Sequence, residues 1–403
     1  MGFIVLVGVV SLFADMTYEG ARSATAPFLQ SLGATAAVVG LVAGLGELLG
    51  YGLRMASGYL SDRTRQYWLI TGIGYAVNLL AVPLLALAGN WPLAAALMIL
   101  ERVGKGVRTP ARDAMLSHAT SQVGHGFGFG LHEALDQIGA VTGPLIVAAI
   151  VYAHGSYRAG FAALAVPAVL ALATLLWARV TFPDPQAMEA GTPPGSASAS
   201  VRAGRGVWRE FGRRFWLYMA FASLTVFGFV HFQIIAFHWK AAGVLADAAI
   251  PLAFSVAMAV DALAALLAGR AFDRRGLSVL AVMPLGSLAA AVLVFASSLF
   301  APAGASWPAW AAIVIWGVAM GVQESTMRAA IPGMVKQEVR ATAYGVFNLA
   351  YGLAWFAGSA VTGFLYDVSP AAVVALVLLA QIASLPVLAA ILRPAARPRG
   401  ASA

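Results

Sequence analysis

Asp15, Glu19 and Arg22 stand four and three residues apart, so on a helix they share one face. Glu47, Tyr51 and Arg54 do the same. Glu101, Lys105, Arg108 and Arg112 follow at intervals of four, three and four, with Arg102 beside them. That stripe is about 16 Å long at a rise of 1.5 Å per residue. His132, Glu133 and Asp136 form a fourth group. Two chemistries fit these residues. A carboxylate in a dry site can carry a proton if it is exposed first to one side and then to the other, which makes Asp15, Glu19, Glu47, Glu133 and Asp136 candidates. Guanidinium and ammonium groups grip carboxylate or phosphate, which makes Arg22, Arg54, Arg102, Lys105 and Arg108 candidates for an anionic or zwitterionic solute, with Tyr51 and Glu101 beside them. The competing reading is mutual compensation, such as Glu101 with Lys105 or Glu19 with Arg22. Further along, His231, Gln233, Asp261, Glu324, Asn348 and Tyr351 are sparser candidates for the same solute. His231 and His238 are seven apart, about 10 Å along a helix, too far for one metal ion. No metal site and no cofactor is expected.

These groups sit in an apolar chain. Of 403 residues, 61% are hydrophobic and 10% charged, where a soluble domain carries about a quarter charged residues. So few charges cannot cover a surface that faces water. The apolar residues come in long runs, such as 36–53, 67–88, 159–177 and 371–392. A hydrocarbon core about 30 Å thick needs about 20 helical residues, and these runs fit it. The spacing predicts twelve helices at roughly 3–29, 35–60, 67–89, 92–113, 126–152, 158–179, 214–239, 247–270, 278–300, 307–330, 342–365 and 370–392. A charge at the centre of a bilayer costs a few kcal/mol on insertion scales, so each must face a cavity or a partner.

The net charge of +8 follows the loops. Arg63 and Arg65 come after the second run. Arg202, Arg205, Arg209, Arg213 and Arg214 come after the sixth, and Arg270, Arg274 and Arg275 after the eighth. Lys336 and Arg340 come after the tenth, and Arg393, Arg397 and Arg399 end the chain. Alternate loops hold little beyond Arg158 and Lys240. This pattern puts both termini in the cytoplasm and accounts for the basic balance without nucleic acid. There is no cysteine, which excludes disulfides, thiolate metal sites and thiol nucleophiles. Asp15 and Glu19 interrupt the first run, and no basic segment precedes it, so a cleavable signal peptide is not expected.

Residues 181–213 are rich in Gly, Ser and Pro and then basic, a linker without a core of its own. They divide the chain into helical bundles over 1–180 and 214–403. The halves repeat. Gly58, Asp62 and Arg63 recur as Gly269, Asp273 and Arg274, at the same spacing and the equivalent point of each half.

On these residues the chain resembles the major facilitator superfamily over its full length. The duplicated Gly-x-x-x-Asp-Arg loops resemble its cytoplasmic gating motif, although Thr64-Arg65 stands where a glycine often follows. Arg102 to Gly106 is similar to its Arg-x-x-x-Gly motif. Gly139, Gly143 and Pro144 resemble the Gly-x-x-x-Gly-Pro motif of its proton-driven exporters. The resemblance implies an all-α membrane protein of two pseudo-symmetric six-helix halves, with a cavity lined by the first and fourth helices. Asp15 and Glu19 are then the foremost proton carriers. Gly58, Asp62, Arg63, Arg112, Gly269, Asp273, Arg274, Gly139, Gly143 and Pro144 would serve gating.

The expected function is secondary active transport of a small solute by alternating access, as proton-coupled export. The alternative is an ion-coupled importer of an organic anion or metal complex. A membrane sensor that binds without translocating would carry a signalling domain or long tail, which this chain does not show. An enzyme is disfavoured: no nucleophile-and-base set stands out, and Gly104-Lys105-Gly106 lacks a phosphate-binding loop. The expected partners are the solute, protons or another coupling ion, and the lipids of a bacterial inner membrane. The expected state is a monomer.

Overall fold

In the computed structural model, residues 1–120, 124–184, 211–296, 305–336 and 339–393 are described. They form fourteen α-helices, with no strand among them: α1 Gly2–Ser31, α2 Ala36–Thr64, α3 Tyr67–Leu84, α4 Trp91–Thr120, α5 His125–His154, α6 Tyr157–Ala163, α7 Ala165–Thr181, α8 Arg213–Phe227, α9 Phe232–Ala241, α10 Ala249–Arg275, α11 Val282–Phe295, α12 Trp307–Ala329, α13 Arg340–Val368 and α14 Pro370–Leu392. Among the described residues nine stretches are long and apolar enough to cross a bilayer. Neither α4 nor α12 is in that set. These two helices carry Glu101, Arg102, Lys105, Arg108, Arg112, Glu324 and Arg328, so the chain puts charge into its least apolar helices.

Two expected helices are broken. The run over 158–179 splits at Leu164 into α6 and α7. Pro167 explains the split, because it cannot donate to the Ala163 carbonyl four residues back. The run over 214–239 splits between Phe227 and Phe232 into α8 and α9. At the second break the freed carbonyls are taken by side chains. Ser287 Oγ donates to Gly228 O at 3.2 Å, and Trp316 Nε1 donates to Val230 O at 2.9 Å. In an apolar surrounding a broken helix needs such partners. The fourth helix runs past the expected 113 to Thr120. Arg112 is therefore inside a helix and not at its end, as the sequence reading had it. The linker core, its Arg202, Arg205 and Arg209, residues 297–300 of the ninth expected helix, and Arg397 and Arg399 lie outside the described residues.

We call the end where α1 and α3 begin and α2 stops the near end, and the opposite one the far end. Within the first half α1 packs on α5 and α4 on α3. Within the second, α10 packs on α12 and α14 on α8. The halves meet along two main seams, α2 with α13 and α5 with α10, and α1 also packs on α9 across them. The repeat exchanges these seams, because α10 stands in the second half where α2 stands in the first, and α13 where α5 stands. Small residues make the close approaches. A Cβ at Gly143 would lie 2.2 Å from the Met16 carbonyl oxygen, and one at Gly139 would lie 2.3 Å from that of Leu12. These two glycines thus face α1, inside their own half. It is Val141, between them, whose carbonyl accepts from Ser255 Oγ of the other half at 2.8 Å. Without a hydrophobic drive between helices in lipid, such contact is what holds spans together.

Gly143→Ala should therefore destabilise the protein by about 1–3 kcal/mol through overpacking, read as a lower thermal unfolding midpoint in detergent. Gly52→Ala, where a Cβ meets open space, should leave the midpoint unchanged or raise it.

Candidate functional site

The charged faces of α1, α2 and α4 meet. Arg22 reaches Glu47 at 3.2 Å and Glu19 at 3.5 Å. Arg102 reaches Glu101 at 3.0 Å and Glu47 at 3.5 Å. Lys105 lies 3.8 Å from Glu19. Asn78 of α3 donates to Glu101 Oε1 at 2.7 Å. Three cations and three carboxylates thus cancel. The side chains of all six are mostly buried, the most accessible being Lys105 at 22%. Of the expected proton carriers, Glu19 and Glu47 are tied to cations here. Of the expected solute ligands, Arg22, Arg102 and Lys105 are tied to carboxylates.

A second group lies nearer the near end of α1 and α4. His132 Nε2 is 3.6 Å from Asp136 and 3.4 Å from Ser11 Oγ. Arg112 holds Asp113 at 2.8 Å and Ser11 Oγ at 3.2 Å. Asp15 Oδ1 and Asp136 Oδ1 are buried without partners. Arg108 is 1% exposed. It lies over the Tyr75 ring, 4.2 Å from the centroid; among the described residues no carboxylate is at ion-pair distance, and its Nε and Nη1 are unpartnered. Tyr18 collects three cations around its ring: Lys105 at 3.9 Å, Arg108 at 5.7 Å and Arg102 at 5.9 Å. Sequence reasoning passed over Tyr18, although it lies between Asp15 and Glu19 on nearly the same face.

Both groups open onto a cavity between the halves. Two adjoining lobes measure about 730 and about 560 Å³, within the range of small-molecule sites. They share Glu19, Arg22, Arg54, Lys105, Glu133 and Glu324, among others. From the second half come Met320, Glu324 and Arg328 of α12, Tyr351 and Trp355 of α13, and Asp261 of α10. An aromatic row runs from the first half onto this side. Tyr51 meets Tyr351 at 5.4 Å between centroids, Tyr351 stacks on Trp355 at 5.3 Å, and Gln323 Nε2 donates to the Tyr351 hydroxyl. Trp355 in turn donates to His231 Nδ1 at 3.2 Å. His231 and Asn348 line neither lobe. Gln233 lines a separate cleft of about 50 Å³ against Arg22, Glu47 and Arg102. His238 bonds Tyr366 at 2.9 Å.

The far end is sealed. Both carboxylate oxygens of Asp367, in α13, accept from the first backbone N–H groups of α2: Ala36 at 3.1 Å and Ala37 at 3.0 Å. This caps the positive end of a helix in the other half. Ser359 Oγ donates to Gly40 O at 2.9 Å, where a Cβ on Gly40 would lie 2.4 Å from the Ser359 carbonyl oxygen. Tyr157 donates to Asp247 O at 3.5 Å, and Asp247 holds Lys240 at 2.7 Å. At the near end the expected latch is unmade. Asp62, Arg63, Asp273 and Arg274 are all exposed. Among the described residues none of these four forms an ion pair, and Arg63 donates to Tyr59, one turn back, at 3.2 Å. Gly58 packs on Pro110, and Gly269 faces open space.

Glu47→Gln should leave Arg22 and Arg102 short of a counter-charge and cost about 3 kcal/mol, seen as a lower unfolding midpoint. Adding Arg102→Gln restores neutrality and should recover part of the loss. Glu133→Gln, which removes no ion pair, should stay within about 0.5 kcal/mol of the parent.

Comparison with known proteins agrees with this architecture. The profile of the Major Facilitator Superfamily matches residues 7–359 and 246–401. An uncharacterised protein of Mycobacterium tuberculosis (strain ATCC 25618 / H37Rv) is 42% identical over 402 residues, covering 98% of this chain and 94% of the relative. An uncharacterised MFS-type transporter of Methanocaldococcus jannaschii is 24% identical over 376 residues, covering 91% and 89%. A crystal structure of the nucleoside transporter NupG superposes with a TM-score of 0.72 at 14% identity, covering 97% of this chain and 98% of that one.

Proposed function

The chain belongs to the major facilitator superfamily, and from that premise we propose that it is a proton-coupled exporter of a small polar solute. Membership makes it a multi-pass membrane transporter and not an enzyme. Counting each bent pair, α6 with α7 and α8 with α9, as one span gives twelve spans in two halves. The run of Arg63, Arg65, Arg213, Arg214, Arg270, Arg274 and Arg275 at the near end supports our reading that this end, with both termini, faces the cytoplasm, in a bacterial inner membrane. The cavity then faces the cytoplasm.

One observation carries the reading: a charged cavity lies between two halves that hydrogen bonds join at the far end, while the near-end motif charges stay unpaired. Rocking the halves about this cavity would break the Asp367 cap and let the duplicated Asp-Arg loops close the near end. Asp15, Glu133 and Asp136 are the carriers we propose for the proton, because no arginine or lysine pairs with them. Glu19 and Glu47 hold the first half together. Export is supported by the likeness of Gly139, Gly143 and Pro144 to the exporter motif, on the helix that forms the α5–α10 seam.

Inside-out membrane vesicles given a cell extract should accumulate a solute, detected by mass spectrometry, when the lumen is acid. Accumulation unaltered by collapse of every ion gradient would sink the coupling. Accumulation driven by the reversed gradient would turn the exporter into an importer.

Asp367→Ala removes the cap across the halves. Loss of a helix cap is worth about 1 kcal/mol, about fivefold in the ratio of far-end-open to closed molecules. Spin labels on cysteines placed at Ser31 and Val368 should show that longer distance, and an unchanged distribution would remove Asp367 from the seal.

A further inference from the structure

Besides Asp15 and Arg108, which belong to the first half alone, pairing leaves two sets of charges over in the cavity, each divided between the halves. The first is cationic. Arg54 of α2 has its guanidinium 5.0 Å from the Tyr51 ring centroid and, among the described residues, no carboxylate at ion-pair distance; its Nε is buried without a partner there. Its near carboxylates are taken, Glu47 by Arg22 and Arg102, and Asp113 by Arg112. Arg328 of α12 also pairs with no carboxylate among the described residues, and Tyr51 lies within electrostatic reach of both arginines. The second set is anionic. Glu133 of α5 receives only a 3.4 Å hydrogen bond from Gln137. Glu324 of α12 and Asp261 of α10 face it from the other half, within electrostatic reach of it and of each other. Asp261 is 2% exposed and lines the cavity with its Oδ1 unpartnered. Arg328 stands one turn beyond Glu324 on α12, but the two do not pair.

We propose that the cavity takes a zwitterionic solute, its acidic group bridging Arg54 and Arg328 and its amine bridging Glu133 and the Asp261–Glu324 pair. The bridging itself draws the near ends together. With the cavity empty, Arg54 faces Arg328 and Glu133 faces Glu324 across the halves, and these like charges hold the near end apart. An anionic group between the arginines and a cationic group among the carboxylates turn both repulsions into attractions. A solute with one charge relieves one pole and leaves the other. The aromatic row of Tyr51, Tyr351 and Trp355 supplies an apolar wall beside the arginines. This rests on the alternating-access reading above and adds to it what substrate charge does.

The test uses the full-length protein in lipid nanodiscs, which brings no native cysteine to compete with labels. Cysteines at Met55 and Leu267, exposed near-end positions of opposite halves, carry spin labels whose separation reads near-end closure. The probes are glycine, γ-aminobutyrate, ε-aminocaproate and dialanine, which span increasing distances, with the N-acetyl and methyl-ester form of each. At least one zwitterion should shorten the separation at a concentration about tenfold or more below either of its singly charged forms, since leaving a charge unpaired costs more than 1.4 kcal/mol. Without any solute, Arg328→Gln and Glu324→Gln should each shift the distribution toward the shorter distance, because each removes one repulsion. Singly charged forms that act as well as their zwitterions, a series with no effect at all, or solute-free variants that keep the parent distribution would each overturn the proposal. The far-end labels at Ser31 and Val368 separate the two readings. A far end that never opens defeats alternating access, whereas one that opens while these probes and variants do nothing defeats the clamp alone.

Discussion

Everything in this protein is arranged around one cost, that of placing a charge where there is little water to solvate it. The first half meets that cost by closing a circuit. Arg22, Arg102 and Lys105 face Glu19, Glu47 and Glu101, and the sum is zero. Each charge touches at least one of opposite sign, so removing any one leaves another exposed to a poor dielectric. The circuit spans α1, α2 and α4, so it sets the rotation of three helices at once. Apolar packing in lipid does not discriminate strongly among rotations, because lipid tails are as apolar as leucine. The circuit supplies the discrimination, and the glycines let the backbones come close enough to use it.

That circuit gives meaning to the charges left out of it. A paired charge looks the same to its neighbours whichever way the halves rock, since its partners ride on the same half. Charges on the wall between the halves are different. Arg54, Arg328, Glu133, Asp261 and Glu324 change surroundings whenever the halves move, because their nearest charged neighbours include residues of the opposite half. Only groups of this kind can make the energy of the two states depend on what occupies the cavity, since a ligand shifts an equilibrium only by its differential affinity for the two states. The division between structural and responsive charge is therefore a division between pairs within a half and encounters across it.

How much of this could be read from the sequence follows the same line. The faces were legible: the spacing of Asp15, Glu19 and Arg22, and of Glu101, Lys105, Arg108 and Arg112, places each set on one side of a helix. The partners were not, because periodicity fixes which side chains share a face but not which neighbour that face meets. Glu19 read as a foremost proton carrier, yet it sits between Arg22 and Lys105. Arg112 read as a gate at a helix end because the helix was taken to stop at 113; it continues to Thr120 and holds Arg112 against Ser11. The α8–α9 break was hidden for a similar reason. Gly228 is one glycine among many in an apolar run, and what allows the break is a pair of donors, Ser287 and Trp316, that come from distant helices. Asp367 could have been noticed as a lone carboxylate closing an apolar run, but only the fold brings it to the start of α2.

The two seams show why the far end can be both tight and reversible. They occupy equivalent places in the repeat but use different contacts. In one, Asp367 caps α2 and Ser359 meets Gly40; in the other, Ser255 donates to Val141 between two glycines that bind α1 instead. Most of these bonds end on backbone groups of the first half, and backbone groups stay fixed when side chains repack. Opening the far end therefore need not disturb either bundle internally. It exposes a few polar groups to water, which solvates them at little net cost, since an exchanged hydrogen bond is worth about 1 kcal/mol. The polar contacts across the far end, a helix cap and three hydroxyls, can be exchanged for water in this way, which lets charge in the cavity choose between the two states.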